Sequence, residues 1–186
     1  MPRLAIGTPA RRSTLALFVA ALLVVTDVGL AHGQHANARR DGWIVGPLLG
    51  LPGIGSDYER ALFTLGVGVT RLVPNRPGLD FAVGTMPRVI AEGLFPIGLR
   101  IGPSIPVALG PDAFLIPSAG LSGIVAVGSA GAAGVGGVYG GLATVVARGR
   151  VGLRAGVTWH RPIDGDLSVW LVEIGVMRVP MPRRTR

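Results

Sequence analysis

The residues best suited to chemistry are His160, Asp164, Asp166 and Ser168, which lie close together in the sequence. A histidine oriented by a carboxylate can take the proton of a hydroxyl group, and many hydrolases activate their nucleophile in this way. The two aspartates could instead offer oxygen ligands to Ca²⁺. The segment 161–166, however, has the composition of an ordinary loop, and two carboxylates at alternate positions make a weak metal site. We therefore predict no catalytic or metal-binding residue, and keep a hydrolase as the alternative.

The composition excludes several further kinds of chemistry. All 18 basic residues are arginines, and the chain contains no cysteine. A Schiff base, a P-loop lysine, a thiol nucleophile, a disulfide and a zinc–thiolate site are therefore excluded. The segment Gly134-Val135-Gly136-Gly137 also fails as a phosphate-binding loop, because Tyr139 stands where the third glycine is needed. We predict no cofactor.

The formal net charge of +8 raises the question of a nucleic-acid partner. The arginines fall mainly at the two termini and singly at the ends of apolar segments, without the interleaved aromatic residues that stack on bases. This distribution indicates contact with solvent or lipid headgroups. We predict no nucleic-acid partner.

The first residues have the organisation of an export signal. Arg3, Arg11 and Arg12 precede the apolar run 15–25, and Gly29-Leu30-Ala31 supplies small residues at a cleavage site. The run is too short to span a bilayer comfortably as a helix, although a retained membrane anchor is the alternative. We predict a signal peptide over residues 1–31 and a short linker over 32–41.

The rest of the chain divides at turn-rich points into segments with period-two alternation, which is typical of β-strands. In one segment Val151, Leu153 and Val157 alternate with Gly152, Arg154 and other small or polar residues. The predicted strands are 43–51, 61–72, 79–90, 96–109, 113–127, 135–147, 150–160 and 167–179. Short turns at 74–78, 110–112 and 148–149 alternate with longer links around 52–60, 128–134 and 161–166.

The composition of the two sheet faces decides which one meets the apolar medium. One face carries the large apolar residues, whereas the other is mostly glycine, alanine, serine and threonine, which would solvate an outer surface poorly. The face of small residues suits the lumen of a narrow barrel, in which Arg100, Arg154 and Glu173 would form an internal charge network. The large apolar residues would then face lipid.

The aromatic residues fall near the ends of the predicted strands, as expected for two interfacial girdles. With the first strand running outward, one girdle contains Trp43, Phe81 and Phe114, and the other contains Phe63, Phe95, Trp159 and Trp170. In the alternative interpretation these aromatics fill a core.

Over residues 42–180 this pattern resembles the small eight-stranded outer-membrane β-barrels, a class that includes the OmpA membrane domain and OmpX. The resemblance implies an all-β, antiparallel, up-and-down transmembrane barrel in the outer membrane of a Gram-negative-type bacterium, followed by a basic tail at 181–186. It also implies outer-membrane lipids and the barrel-assembly machinery as partners, and a structural or surface-interaction role rather than an enzymatic one. No functional residue is carried over, because no motif matches position by position.

Several alternatives and one complication accompany this prediction. The uncharged stretch Ser118 to Ala147 could form a helical hairpin, but its glycines favour two strands joined by a flexible loop at 128–134.

The functional alternatives are a rim-catalysed lipid hydrolase and a soluble periplasmic or secreted β-barrel that binds an apolar ligand. Pro103, Pro106 and Pro117 lie inside predicted strands, where we expect bulges or shorter strands because proline donates no ladder hydrogen bond.

Overall fold

The computed structural model describes residues 38–52, 64–91, 93–129, 131–163 and 168–184. Eight main strands follow one another along the chain: β1 (Gly42–Pro52), β2 (Thr64–Leu72), β3 (Gly78–Thr85), β4 (Phe95–Ser104), β5 (Ala113–Gly128), β6 (Gly131–Arg148), β7 (Val151–Pro162) and β8 (Val169–Arg178). Two-residue strands lie at Ala38–Arg39, Val107–Ala108 and Arg183–Arg184, and one short helix spans Pro87–Ala91. In the described part of the chain, no helix has both the length and the apolar character needed to cross a membrane.

The eight strands form a closed barrel. Each strand pairs antiparallel with the next, and β8 returns to pair with β1, with Leu171 opposite Pro52 and Arg178 opposite Val45. Closure pairs the two strands that would otherwise be the free edges of the sheet. The predicted all-β, antiparallel, up-and-down barrel of eight strands is therefore confirmed.

We name the two ends of the barrel by the chain segments that they contain. The terminal end holds the start of β1, the end of β8 and the connections 73–77, 105–112 and 149–150. The opposite end, which we call the loop end, holds the end of β1 and the start of β8. At the terminal end the β6–β7 connection is a tight turn in which Gly149 has φ +63°, a left-handed conformation that glycine adopts without steric cost.

Alternation along the strands separates an apolar exterior from a lumen lined by small and polar groups. In β7, Gly152, Arg154 and Thr158 are buried in the lumen, whereas the side chains of Val151 and Leu153 are 56% and 63% exposed on the outer surface. Successive residues of a strand point to opposite faces, so the period-two pattern of the sequence becomes an inside and an outside.

Apolar side chains fill the lumen towards the terminal end. The cluster contains Ile44, Leu48, Leu72, Phe114, Ile116, Val145, Ala147, Met177 and Val179, all of which are buried. Close packing of these groups leaves little room for solvent in this half of the barrel.

Two predicted boundaries at the loop end are wrong. The third predicted strand, 79–90, ends as β3 at Thr85, because Pro87–Ala91 forms a helical turn that begins at a proline, a residue preferred at the first helical position. The predicted loop 128–134 is instead part of a hairpin in which Gly128 pairs with Gly131, so β6 begins at residue 131 rather than 135. Gly131 adopts φ +123°, a backbone conformation that favours glycine.

The proline-containing strands retain their register. The β4–β5 ladder pairs Ile101 with Leu121 and resumes at Ser104 with Ser118, so no residue is inserted on either strand and there is no bulge in this interval. The fourth strand is shorter than the predicted 96–109, since β4 ends at Ser104 and Pro106 lies in the connection. The prolines thus shorten a strand without shifting the pairing.

Candidate functional site in the barrel lumen

Four ionic side chains lie together inside the barrel, each contributed by a different strand. Asp80 comes from β3, Arg100 from β4, Arg154 from β7 and Glu173 from β8, and none is more than 5% exposed. Each occupies an inward position of its strand, so the alternation of the sequence directs four charges to one volume. Buried charges are tolerated when they are paired and hydrogen-bonded, and these four are.

Arg100 is held by both carboxylates. Its Nη1 and Nη2 donate to Oε1 and Oε2 of Glu173, and the Nη2–Oε2 distance is 2.8 Å. Its Nε donates to Oδ2 of Asp80 at 3.3 Å. The fork of two parallel bonds to Glu173 is the strongest arrangement available to an arginine and a carboxylate.

Asp80 joins this pair to the second arginine. Nη1 of Arg154 donates to Oδ1 of Asp80 at 3.2 Å and to Oγ1 of Thr70 at 2.8 Å, and the Thr70 hydroxyl donates to the same Asp80 oxygen at 2.7 Å. Two guanidinium groups and two carboxylates give the network no net charge. With Thr70 of β2, the network therefore crosslinks five strands inside the barrel without leaving an unpaired ion.

The predicted internal network of Arg100, Arg154 and Glu173 is confirmed. Asp80, which bonds to both arginines, was missing from the prediction. Its place was visible in the sequence, because Asp80 alternates with Leu79 and Phe81 and so shares the inward face with Ala82. Arg100 lies on the neighbouring strand β4, but Arg154 lies on β7, which only the closure of the sheet brings within reach of β3.

A cavity of about 160 Å³ occupies the lumen between the network and the loop end. Arg100 and Glu173 lie at its floor, and apolar side chains such as Leu48, Ile124 and Leu171 contribute to its wall. Gly66, Gly84 and Gly98 also line it. At Gly98 the absence of a side chain leaves open space, since an added Cβ would meet no atom closer than 3.9 Å, whereas a Cβ at Gly66 would lie 2.4 Å from the carbonyl oxygen of Val83.

His160, the candidate base of the sequence analysis, lines this cavity. Its ring stacks on the ring of Tyr139, with the two centroids 6.0 Å apart. The Arg100 guanidinium lies over the Tyr139 ring, 5.6 Å from its centroid. Nε2 of His160 is buried and has no hydrogen-bond partner among the described residues. The imidazole is thus part of a stack of aromatic and cationic groups in the lumen.

The other members of the candidate hydrolytic group do not join His160 in the part of the chain that is described. Asp164 and Asp166 lie outside the described residues, and Ser168 is exposed just before β8. Within the described ranges, no group of three or more histidine, aspartate or glutamate side chains could hold a metal ion.

A separate set of contacts closes the terminal end. Arg40, in the predicted linker, is only 2% exposed. Its guanidinium donates to Oδ1 of Asp112 at 2.9 and 2.5 Å and to the carbonyl oxygens of Gly149 at 2.6 Å and Pro180 at 2.7 Å. Ala38–Arg39 also pairs with Arg183–Arg184 of the predicted tail. Arg40 thus joins the segment before β1 to the segment after β8 and to two of the connections, so this residue of the predicted linker is part of the folded structure.

The exterior carries large apolar residues and most of the predicted aromatic girdles. Trp43 is half-exposed near the terminal end with Arg71 over its ring, and the half-exposed Trp170 lies beside Trp159 at the loop end, where Phe95 is also half-exposed. Phe81 is partly exposed on β3, and Phe63 lies outside the described residues.

Phe114 was wrongly assigned to the girdle. It is 1% exposed and packs in the apolar cluster of the lumen. The inward face of β5 is itself apolar near the terminal end, where both Phe114 and Ile116 point into the lumen. Aromatic character at a strand end therefore did not reveal which face the ring occupied.

A closed meander of eight antiparallel strands, with a polar network inside and large apolar residues outside, is the fold of the small eight-stranded transmembrane β-barrels. Among solved structures, the chain is similar to the crystal structure of Neisserial surface protein A (NspA), with a TM-score of 0.50 and 11% sequence identity. The match covers 73% of this chain and 95% of the NspA chain. At this identity the similarity concerns the fold.

The comparisons at the level of sequence found no relative. No protein-family model matches the chain, and no curated protein matches it.

Proposed function

We propose that this chain is a non-enzymatic protein of the outer membrane of a Gram-negative-type bacterium, exported through its N-terminal signal peptide and serving a structural or surface-interaction role. Outer-membrane lipids and the barrel-assembly machinery would be its partners. The loop end would face outward, and the terminal end, with its closing Arg40 contacts, would face the periplasm.

One observation carries this proposal: large apolar side chains stand on the outside of a barrel whose interior holds ions. Leu121, Leu153 and Val176 are each more than half exposed, whereas Asp80 and Arg154 are buried in the lumen. A soluble barrel has the reverse arrangement, because water solvates its exterior and an apolar core stabilises its fold. In a bilayer the same exterior is the favourable one.

The soluble alternative is weaker for the same reason. A contiguous apolar exterior larger than a few hundred Å² is rare on monomeric soluble proteins, and it marks a surface that is covered by a partner or a membrane.

The enzymatic alternative finds little support in the described part of the barrel. His160 points into the lumen and stacks on Tyr139, and Ser168 is exposed outside the strand. If the folded protein cleaved outer-membrane lipids faster than its His160→Ala variant, the non-enzymatic assignment would be wrong.

Cell fractionation combined with gel electrophoresis tests the location directly. We expect the protein in the outer-membrane fraction, resistant to carbonate and urea washing, and with a mobility that changes when the sample is boiled, because a closed barrel resists unfolding by detergent at room temperature. Release by the wash, together with a mobility that boiling does not change, would contradict the proposal.

A folding-deficient variant supplies the control for the mobility shift. The Cβ of an alanine at Gly102 would lie 2.0 Å from the carbonyl oxygen of Ala119, so Gly102→Ala cannot keep the β4–β5 spacing. Gly140→Ala meets no atom within 4 Å and should shift as the native protein does.

A further inference from the structure

The cavity in the loop half of the lumen is closed at its inner boundary. Below it lie Arg100 and Glu173, and below these the buried cluster that includes Ile44, Phe114 and Met177 fills the terminal half. A solute that entered from the loop end would meet a paired ionic layer and then close-packed apolar side chains. The lumen therefore has the geometry of a pocket and not that of a passage.

The size of the cavity limits what it can hold. Its volume is about 160 Å³. An apolar cavity of about 150 Å³ in another protein stays dry and binds benzene. A single ring, or an aliphatic group of the same bulk, is therefore the size of molecule that fits.

The paired charges at the floor of the cavity disfavour an ionic ligand there. At the floor, both terminal nitrogens of Arg100 are bonded to the two carboxylate oxygens of Glu173, and its Nε is bonded to Asp80. A charged ligand would lose its hydration without gaining a free counter-ion. A neutral ligand faces no such loss.

His160 offers a ligand in this cavity a buried polar atom that has no partner among the described residues. Nε2 of His160 is buried without a partner among the described residues, and its ring lines the cavity. A buried polar group without a partner costs free energy, so a ligand that supplies one is favoured. A hydroxyl group can both donate and accept, and so matches an imidazole nitrogen in either tautomer.

We propose that the loop half of the lumen is a binding pocket for a small neutral molecule with a single hydroxyl group on a one-ring apolar body, in the manner of a phenol. The apolar body lies among Leu48, Ile124 and Leu171, and the hydroxyl bonds to Nε2 of His160. The pocket goes beyond the proposed membrane role, and its binding is measured on the folded barrel whatever its cellular location.

Fluorine NMR of para-fluorophenol added to the purified protein in lipid nanodiscs tests the proposal, with empty nanodiscs correcting for partition into lipid. We expect saturable binding by the native protein. No saturable binding would overturn the proposal and would mean that the cavity holds only water. Equal binding of para-fluorobenzoate would also overturn it, because the Arg100 guanidinium at the floor of the pocket is already paired with Glu173 and Asp80.

Two glycine variants distinguish binding in the pocket from binding on the lipid-facing surface. A Cβ at Gly98 would lie 3.9 Å from its nearest neighbours and so enters open space in the lumen, whereas Gly140 is on the outward face of β6 with nothing within 4 Å. Gly98→Leu should weaken binding at least about tenfold by filling the cavity, and Gly140→Leu should bind as the native protein does. Equal binding by both variants would place the ligand elsewhere.

A third variant tests the polar contact without changing the volume much. His160→Phe keeps a ring against Tyr139 but removes the nitrogen, and should weaken para-fluorophenol binding about fivefold, the usual effect of one hydrogen bond. Binding of fluorobenzene, which has no hydroxyl, should be unchanged. If both probes weaken equally, the hydroxyl contact is wrong. Boiled and unboiled gels confirm that each variant is folded.

Discussion

Replacing Glu173 with glutamine should destabilise the barrel far more than the loss of a surface ion pair does. Glu173 accepts two hydrogen bonds from Arg100 and is 5% exposed. In the native lumen two arginines balance two carboxylates, so Glu173→Gln leaves one uncompensated positive charge beside Asp80. The variant keeps the shape of the side chain and removes only its charge.

The magnitude follows from the burial of the pair. Removing one partner of a buried ion pair costs about 3–5 kcal/mol, compared with about 0–1 kcal/mol for an exposed pair. Glutamine retains one carbonyl acceptor for Arg100, so we expect about 3 kcal/mol, which is about a hundredfold in the folding equilibrium. A barrel with an unfolding free energy of about 5–15 kcal/mol would still fold.

The double variant Arg100→Met and Glu173→Met separates charge from packing. It restores neutrality, because Asp80 remains paired with Arg154. Apolar replacement of a whole buried pair is often neutral or stabilising, so the double variant should lose less than Glu173→Gln alone.

Urea unfolding in lipid vesicles, followed by tryptophan fluorescence, measures both changes as shifts of the midpoint at constant slope. A loss below about 1 kcal/mol for Glu173→Gln would refute the reasoning, since that is the range of solvated pairs. A double variant less stable than the single one would also refute it.

Three further predictions use the same unfolding and gel assays. Arg40→Met should lower the free energy of unfolding by about 2–3 kcal/mol, because it removes the buried hydrogen bonds to Asp112 and to two carbonyl oxygens. Arg71→Met breaks an exposed ion pair and should cost less than about 1 kcal/mol. Equal losses for the two variants would contradict the closing role of Arg40. Phe114→Ala should lower the free energy of unfolding by about 3–5 kcal/mol, because it truncates a buried side chain. A loss of less than about 0.5 kcal/mol would contradict the buried position of this ring. Gly102→Ala should abolish the boiling-dependent mobility shift while Gly140→Ala keeps it, and a normal shift for both would show that the β4–β5 spacing tolerates a side chain.

The barrel could be predicted because its sequence alternates with period two along most strands. Val151, Leu153 and Val157 on one face and Arg154 and its small neighbours on the other specify an outside and an inside without any knowledge of the pairing. The inward arginines and Glu173 follow from the same parity.

The prediction failed where alternation gives no signal. Residues 128–134 are all small, so the sequence does not distinguish a flexible loop from the observed glycine hairpin. Phe114 stands on an inward face that is itself apolar near the terminal end. Alternation alone therefore could not show whether its ring belongs to the apolar cluster of the lumen or to the outer girdle.

The cavity was also beyond the reach of the sequence. It depends on the register that places Gly66, Gly84 and Gly98 at similar heights on three neighbouring strands. The contact of Asp80 with Arg154 of β7 likewise depends on the closure of the sheet, because β3 and β7 are not neighbouring strands. Register and closure are properties of the pairing, which a single strand does not encode.

Nitroxide scanning of β8 in lipid bilayers tests the central claim most directly, because the native chain has no cysteine to interfere with single-site labelling. Labels at Ile174 and Val176, which are 48% and 52% exposed, should contact oxygen dissolved in the lipid, and labels at the buried Leu171 and Met177 should be protected from it. Oxygen contact that rises and falls with period two, highest at Ile174 and Val176, is the predicted result. Highest contact at Leu171 and Met177, or no alternation, would contradict a barrel whose large apolar side chains face the membrane.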